Sequence, residues 1–224
     1  MHNFVPRFGI PQRTFGYESH CQLFNAFSNG WVVEKEGAAP VYDPEKDECK
    51  RIRDLGGLLA FHDGSVGNNQ LNTEVRDSKV AWINDDPNLP VDLGNRQWLI
   101  QRMADTIGMV NRDKFQLDLD HFFPMQFTQY ALNQHYDWHV DVHEGMESME
   151  HRKLSAVLML TGPDEYEGGE LELNIGGNPE TAMALKPPAG TVVFFYSHIP
   201  HRVRPVTKGE RASLVVWALG PKVR

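Results

Sequence analysis

The sequence predicts a mainly β chain, a jelly roll or sandwich buttressed by N-terminal helices. Three observations predict it. From position 115 onward, short runs of strand length follow one another: FQLDLD, QFTQYAL, HYDWHVDV, KLSAVLMLT, ELELNI, TAMALK, GTVVFFYS, HRVRPV and ASLVVWAL. Turn chemistry such as TGPDEYEGGE, GGNPE, KPPAG and TKGE separates them. Upstream the periodicity changes, with Trp98, Leu99, Met103, Ile107 and Val110 recurring at helical spacing from Arg96 onward. Many short strands with regularly placed turns are the signature of a two-sheet all-β architecture, and the helix before them supplies a covering layer.

The N-terminal elements follow from local pattern. Residues 17–30, YESHCQLFNAFSNG, predict a first helix with Leu23, Phe24 and Phe27 on one side and Gly30 ending it. Residues 34–51 are polar and charged and predict a surface loop. Residues 73–83, TEVRDSKVAWI, alternate as a strand does, and NDDPNLP breaks it. Between these, residues 63–73 (DGSVGNNQLNT) carry the Gly and Asn content of a flexible lid. At 224 residues the chain predicts one domain, 1–224, in which 1–115 support a core spanning 116–221.

Composition narrows the class. Hydrophobic content of 41% and charged content of 23% are ordinary for a globular protein. A net charge of −8 argues against a nucleic-acid partner, because that affinity rests on clustered Lys and Arg. Cys21 and Cys49 do not make a disulfide framework and suit a reducing compartment. The N-terminus lacks the apolar stretch of a signal peptide, and no apolar run approaches the ~20 residues that span a bilayer. A cytoplasmic location without membrane contact is expected.

One segment carries the chemistry. HYDWHVDVH, residues 135–143, places His135, Asp137, His139, Asp141 and His143 on one face of a strand, with Tyr136, Trp138, Val140 and Val142 on the other. Both His135-x-Asp137 and His139-x-Asp141 fit a metal-binding pair. Position favours His139 and Asp141, which precede the polar loop EGMESMEH at the strand's mouth. A third ligand comes from the turn SHIPH, where His201, opening the next strand, is favoured over His198. Two imidazoles and one carboxylate are the facial triad of mononuclear non-haem Fe(II), leaving the remaining positions for a bidentate 2-oxo acid and O2. A carboxylate at Asp141 leaves no place for a halide. The histidines at 2, 20, 62, 121 and 151 have no partner pattern and are expected to be solvated or hydrogen-bonded, and Asp118 and Asp120 to form a solvated edge.

Arg211, ten positions after His201, offers a planar fork for a carboxylate. Leu214, Val216 and Trp217 suggest that its strand is buried, and a buried guanidinium needs an anionic partner. Ser213 on the same face and Tyr130 across the sheet would add hydroxyls.

Tyr130, YDWHVD, KLSAVLMLT, YEGGELEL, PAGTVVFF and HRVRPVTKGERASLVVW, in this order over roughly residues 126–219, resemble the Fe(II)/2-oxoglutarate-dependent oxygenases of the prolyl 4-hydroxylase-like, PKHD-type branch. Collagen-type members usually carry Lys where this chain has Arg211, whereas Arg is common in the microbial PKHD-type members. The resemblance implies a double-stranded β-helix core, with His139, Asp141 and His201 as iron ligands and Arg211 and Tyr130 on 2-oxoglutarate. It also implies ascorbate as an accessory reductant. VRDSKVAWI resembles the family's substrate-groove segment, which would bring Arg76, Trp82 and Trp138 to the substrate. The expected reaction is hydroxylation of a prolyl residue in a peptide or protein with consumption of O2. Oxygenation of a free amino acid or nucleic acid, and metal or small-acid binding without turnover, are the alternatives.

Overall fold

The computed structural model describes residues 20–33, 39–66, 70–83, 93–122, 124–142 and 150–221. The first elements are β1 (Cys21–Asn25), β2 (Asn29–Val32), β3 (Val41–Asp47), α1 (Glu48–Gly57), β4 (His62–Asp63), β5 (Arg76–Asp77), β6 (Lys79–Trp82) and α2 (Leu93–Val110). Then follow β7 (His121–Phe122), β8 (Gln126–Tyr130), β9 (His135–His139), β10 (Glu150–Met159), β11 (Tyr166–Gly168) and β12 (Leu171–Leu173). The chain continues through β13 (Met183–Leu185), β14 (Thr191–Tyr196), β15 (His201–Val203), β16 (Val206–Gly209) and β17 (Arg211–Pro221).

Two antiparallel sheets carry the architecture. The larger runs β1-β14-β10-β17-β8-β6-β4, with β7 also on β17, and the smaller runs β13-β12-β15-β9-β5. Strands from the first 115 residues therefore extend both sheets of the jelly roll.

The central strands of the large sheet read as continuous apolar runs because both of their faces are buried. Alternate side chains of β14 separate cleanly. Val192 and Phe194 join the core made with α1 and α2, through Ile52, Leu55, Leu99, Met103 and Ile107. Val193 and Phe195 join the core between the sheets, with Leu171, Leu173 and Val203 from the small one. Strand β10 divides the same way, Ala156 and Leu158 toward the helices and Val157 and Met159 toward the small sheet. Helix α1 lies so close on β8 that a Cβ at Gly56 would sit 2.6 Å from the Phe127 ring.

Several local expectations give way to tertiary pairing. The helix expected over 17–30 is instead two strands in its described part, because Cys21–Asn25 pairs in register with Phe195–Thr191. Leu23 then packs on the inter-sheet core and Phe24 on the helix-side core, an alternation that a helix could not make. In the expected loop 34–51 the described part forms β3 and the start of α1. Asp47 caps that helix, its Oδ1 accepting from the Lys50 backbone N–H at 2.7 Å. Cys49, Ile52 and Leu55 on its buried side give the helical period, which continues past residue 51.

The single strand expected over 73–83 is two, β5 and β6, serving different sheets. The FQLDLD strand does not form, since Asn111–Phe115 widens into a π-helical turn and Gln116 takes a left-handed φ of 53°. Helix α2 matches its expectation and starts a few residues earlier. Residues 67–69 of the expected lid, and His143 with the rest of 143–149, lie outside the described residues. Among the described residues no helix is long and apolar enough to cross a membrane.

Candidate metal centre

Antiparallel pairing of β9 with β15 sets His139 directly opposite His201. Asp141 follows two residues later, its backbone N–H donating to the Ser197 carbonyl at 2.9 Å, which ties this segment to the turn leading into β15. One donor atom from each of His139, Asp141 and His201 lies within 4.8 Å of the other two. His201 Nε2 is 3.5 Å from Asp141 Oδ2.

The surrounding bonds fix how the ligands present themselves. His139 Nδ1 meets the Asp137 carbonyl at 2.8 Å, and His201 Nδ1 meets the Ile199 carbonyl at 2.9 Å. A carbonyl only accepts, so each Nδ1 carries the proton and each Nε2 keeps its lone pair for a metal. Ser155 Oγ donates to Asp141 Oδ2 at 2.6 Å and is itself 2.9 Å from Ser197 Oγ. Burial, followed by the neighbouring His201, pushes the His139 pKa down to about 3, so that ring is neutral. Burial alone would raise the Asp141 pKa. The two imidazoles and the Ser155 bond outweigh it and hold the carboxyl below its ordinary range. A neutral imidazole beside an ionised carboxylate is the protonation state that a borderline divalent cation such as Fe(II) requires.

Above the triad, β17 and β8 supply the other wall. Arg211 is 1% exposed and pairs at the Cα register with Tyr130, over whose ring its guanidinium lies at 5.4 Å. Its Nη1 donates to Ser213 Oγ at 3.0 Å and its Nη2 contacts Met159 Sδ at 3.5 Å, while Nε has no partner. Among the described residues no carboxylate forms an ion pair with Arg211. An unneutralised, fully buried guanidinium is costly, so its environment fits an anionic ligand group. Gly169, with φ of 63°, lets the backbone pass this side chain, since a Cβ there would be 3.2 Å from Arg211 Cδ.

Between the two walls lies a cavity of about 160 Å³ lined by His139, Asp141, His201, Arg211, Ser213 and Tyr130 among others. One water needs only ~10–15 Å³ on this measure, so the space suits a small organic acid. The donor set, its protonation and the orphaned cation all fit Fe(II) with 2-oxoglutarate.

Of the residues expected on the substrate side, Arg76 and Trp82 line the same cavity. Arg76 is held by Ser78 Oγ at 2.9 Å and the Ser65 carbonyl at 3.1 Å. Trp82 is half-buried, its ring 6.2 Å from that of Trp217. Trp138 is not brought to the cavity, because its ring faces the Arg202 guanidinium at 4.7 Å.

His135 turns to the Asn133 and Glu74 carbonyls, Asp137 is exposed, and His198 is exposed against Tyr196, so none of the three joins the triad. The expected strict alternation through 135–143 also fails. Four residues of β9, Tyr136 to His139, span what three, His201 to Val203, span on β15, a bulge that puts Tyr136 on the same side as His139.

Pattern reading missed Tyr136, Arg152, Trp217 and Ser155. Tyr136, Arg152 and Trp217 line the cavity. Ser155 had a visible signal, a lone polar residue in the apolar run KLSAVLMLT.

A jelly roll that brings two imidazoles and a carboxylate to one cavity, with a buried guanidinium facing them, defines the class of mononuclear non-haem iron oxygenases that use a 2-oxo acid. The model of the 2OG-Fe(II) oxygenase superfamily matches residues 125–219. A PKHD-type hydroxylase of Acidovorax ebreus is 32% identical over 77% of this chain and 73% of its own length, and one from Parvibaculum lavamentivorans is 33% identical over 76% and 72%. Shewanella relatives of the same name align over only 42% of their length.

Among solved structures, a Pseudomonas putida prolyl-4-hydroxylase superposes with a TM-score of 0.62 at 19% identity, covering 92% of this chain and 96% of that one. A Trichoplax adhaerens prolyl hydroxylase reaches 0.64 at 18%, covering 89% and 83%. These two share the fold. The chain belongs to the 2OG-Fe(II) oxygenase superfamily and, within it, to the PKHD-type hydroxylases. It is a dioxygenase that uses Fe(II) and 2-oxoglutarate.

Proposed function

We propose that this dioxygenase hydroxylates a C–H bond of a prolyl residue in a peptide or protein. The observation that carries the reading is the aromatic wall beside the triad, where Trp82 and Trp217 line the cavity that His139, Asp141 and His201 open onto. An aromatic face packs well against a pyrrolidine ring. Support also comes from the fold neighbours, of which the Trichoplax enzyme was solved with a hypoxia inducible factor peptide fragment.

In this reading His139 Nε2, Asp141 and His201 Nε2 hold the iron. Arg211 binds the distal carboxylate of 2-oxoglutarate, with Tyr130 and Ser213 beside it. The bound pair supplies the oxidising power, turning 2-oxoglutarate and O2 into succinate and CO2 as hydroxyl is delivered. The chain's own residues orient and exclude. Ser155 fixes the Asp141 carboxylate, Tyr136 lies flat against His139, and Met159, Val157 and Leu171 keep the inter-sheet wall apolar. We place the protein in the cytoplasm as one domain over residues 1–224, with ascorbate keeping the iron reduced.

The test is anaerobic reconstitution with Fe(II) and 2-oxoglutarate, then exposure to air with a panel of proline-containing peptides. Mass spectrometry should find a product heavier by one oxygen atom, located on proline. Oxygen incorporated only into other residues, or into a free amino acid, would end the prolyl reading.

A further inference from the structure

The two imidazoles of the triad are held unequally. His201 is 5% exposed and sits edge-on against the Phe195 ring at 4.7 Å, with its Nδ1 on the Ile199 carbonyl. His139 is only half-buried, and its Nδ1 meets the Asp137 carbonyl of its own strand. Such a bond selects the tautomer. It acts along one line and leaves the ring able to turn about that line, so the plane of His139 has to be set by packing.

Tyr136 supplies that packing, with its ring centroid 3.5 Å from that of His139 and the planes inclined by 11°. Across the sheet Arg76 stands opposite Tyr136, and its guanidinium lies 4.5 Å from the same phenol ring. A ring face covered at 3.5 Å has no room for a second planar group, so the guanidinium takes the other face. Arg76 is itself 8% exposed and tightly held. Its Nε donates to Ser78 Oγ at 2.9 Å and its Nη1 to the Ser65 carbonyl at 3.1 Å. Gly64 donates its backbone N–H to the Ser78 carbonyl, and a Cβ there would sit 2.5 Å from Arg76 Nε. Guanidinium, phenol and imidazole thus form one column, anchored at its outer end by the segments before β5 and β6.

We propose that Tyr136 is a positioning residue of the metal centre, setting the plane of His139, and that Arg76 acts through Tyr136 rather than on the substrate. This rests on the reading that His139 holds the iron. A ligand ring whose plane is set in advance has less freedom to lose when the metal binds. The cation on the outer face holds the phenol in turn, by attraction to its π-face. The substrate contact expected of Arg76 from the sequence is thereby replaced by a role at the metal.

The test uses the full chain loaded with Co(II) alone, a divalent probe for the same donor set. Affinity is read by competition with a chelator, and ligand geometry by the visible absorption of the bound ion. Tyr136→Leu removes the flat face at similar bulk. It should weaken Co(II) binding by ~10- to 100-fold, the range for losing a group that orients a metal ligand, and shift the absorption. Tyr136→Phe keeps the ring face and should recover both. Arg76→Met leaves Tyr136 in place and should weaken binding by ~2- to 30-fold, the range of a cation–π contact.

Unaltered affinity and absorption in Tyr136→Leu would overturn the proposal, as would a loss that Tyr136→Phe shares in full. Normal Co(II) binding in Arg76→Met, with only peptide affinity reduced, would return Arg76 to the substrate and overturn the column. Should Tyr136→Leu fail to fold, Arg76→Met decides, because it leaves β9 unchanged. His139→Ala separates the two readings. Co(II) retained there removes His139 from the metal, whereas Co(II) lost there and retained in Tyr136→Leu removes only the positioning role.

Discussion

Tyr136 lies flat on His139, their ring centroids 3.5 Å apart and the planes inclined by 11°. In a regular strand, residues separated by three positions face opposite ways, so this contact exists only because β9 bulges between them. The bulge does two things at once. It stacks a phenol ring on a metal-binding imidazole, and it leaves His135 and Asp137 out of the site. The Tyr136 ring in turn carries the Arg76 guanidinium.

The triad predicts a sharp pattern of iron loss. Replacing His139, Asp141 or His201 with Ala removes one of three convergent donors, and each variant should lose turnover and stoichiometric Fe(II). His135→Ala and Asp137→Ala should retain the metal. Iron content after anaerobic loading and desalting checks this, and iron retained by His139→Ala would refute the assignment.

Arg211→Ala removes the buried cation that faces the triad. Truncating one partner of such a buried charged pair weakens binding by ~30- to several-thousand-fold. The dissociation constant for 2-oxoglutarate, read by calorimetry on the metal-loaded protein, should rise by that range while iron content stays the same. An unchanged constant would move the anchor elsewhere, to another cation lining the cavity such as Arg76.

Ser155→Ala leaves Asp141 in place but takes away its 2.6 Å hydrogen bond. Loss of a group that orients a metal ligand costs ~10- to 100-fold in metal affinity. Competition against a chelator should show that loss, and Ser155→Thr should recover part of it. Affinity unchanged in Ser155→Ala would show that the Asp141 carboxylate needs no orienting partner.

Trp82→Ala should impair peptide hydroxylation while slow succinate formation without peptide persists. Trp82 lines the outer cavity and is only half-buried, so its removal leaves the triad and Arg211 untouched. Loss of both reactions with a lowered melting temperature would make Trp82 a packing residue.

Both thiols should be unreactive in the folded state. Burial pushes Cys21 and Cys49 up to about 12, and the reactive thiolate is populated only as pH approaches that value. A disulfide reagent at pH 8 should therefore titrate neither in the native protein and both in denaturant. Rapid reaction of either without denaturant would contradict the packing of β1 or α1.

Some of this was legible in residue order. His139, Asp141, His201 and Arg211 stood out because their chemistry is unusual and they lie at strand ends beside turns. The succession of Gly- and Pro-bounded apolar runs announced two sheets, and α2 announced itself by its period. Elements whose partners are remote were misread. Residues 21–25 have no local reason to be extended and become a strand because the edge of β14 accepts them. Trp138 looked like a groove residue and went to Arg202, which lies 64 positions downstream.

By itself, then, the sequence determined the kinds of ligand, their order and the sheet-forming character of the chain. These depend on side-chain chemistry and on periodicities of two and 3.6, which are local. Only the tertiary structure decided which His-x-Asp pair faces inward, since one extra residue in β9 reverses the parity on which that choice rests. The gathering of Arg76, Arg152 and Arg211 around one cavity likewise arises from three strands of two sheets. No local pattern encodes that convergence, because pairing between distant segments sets it.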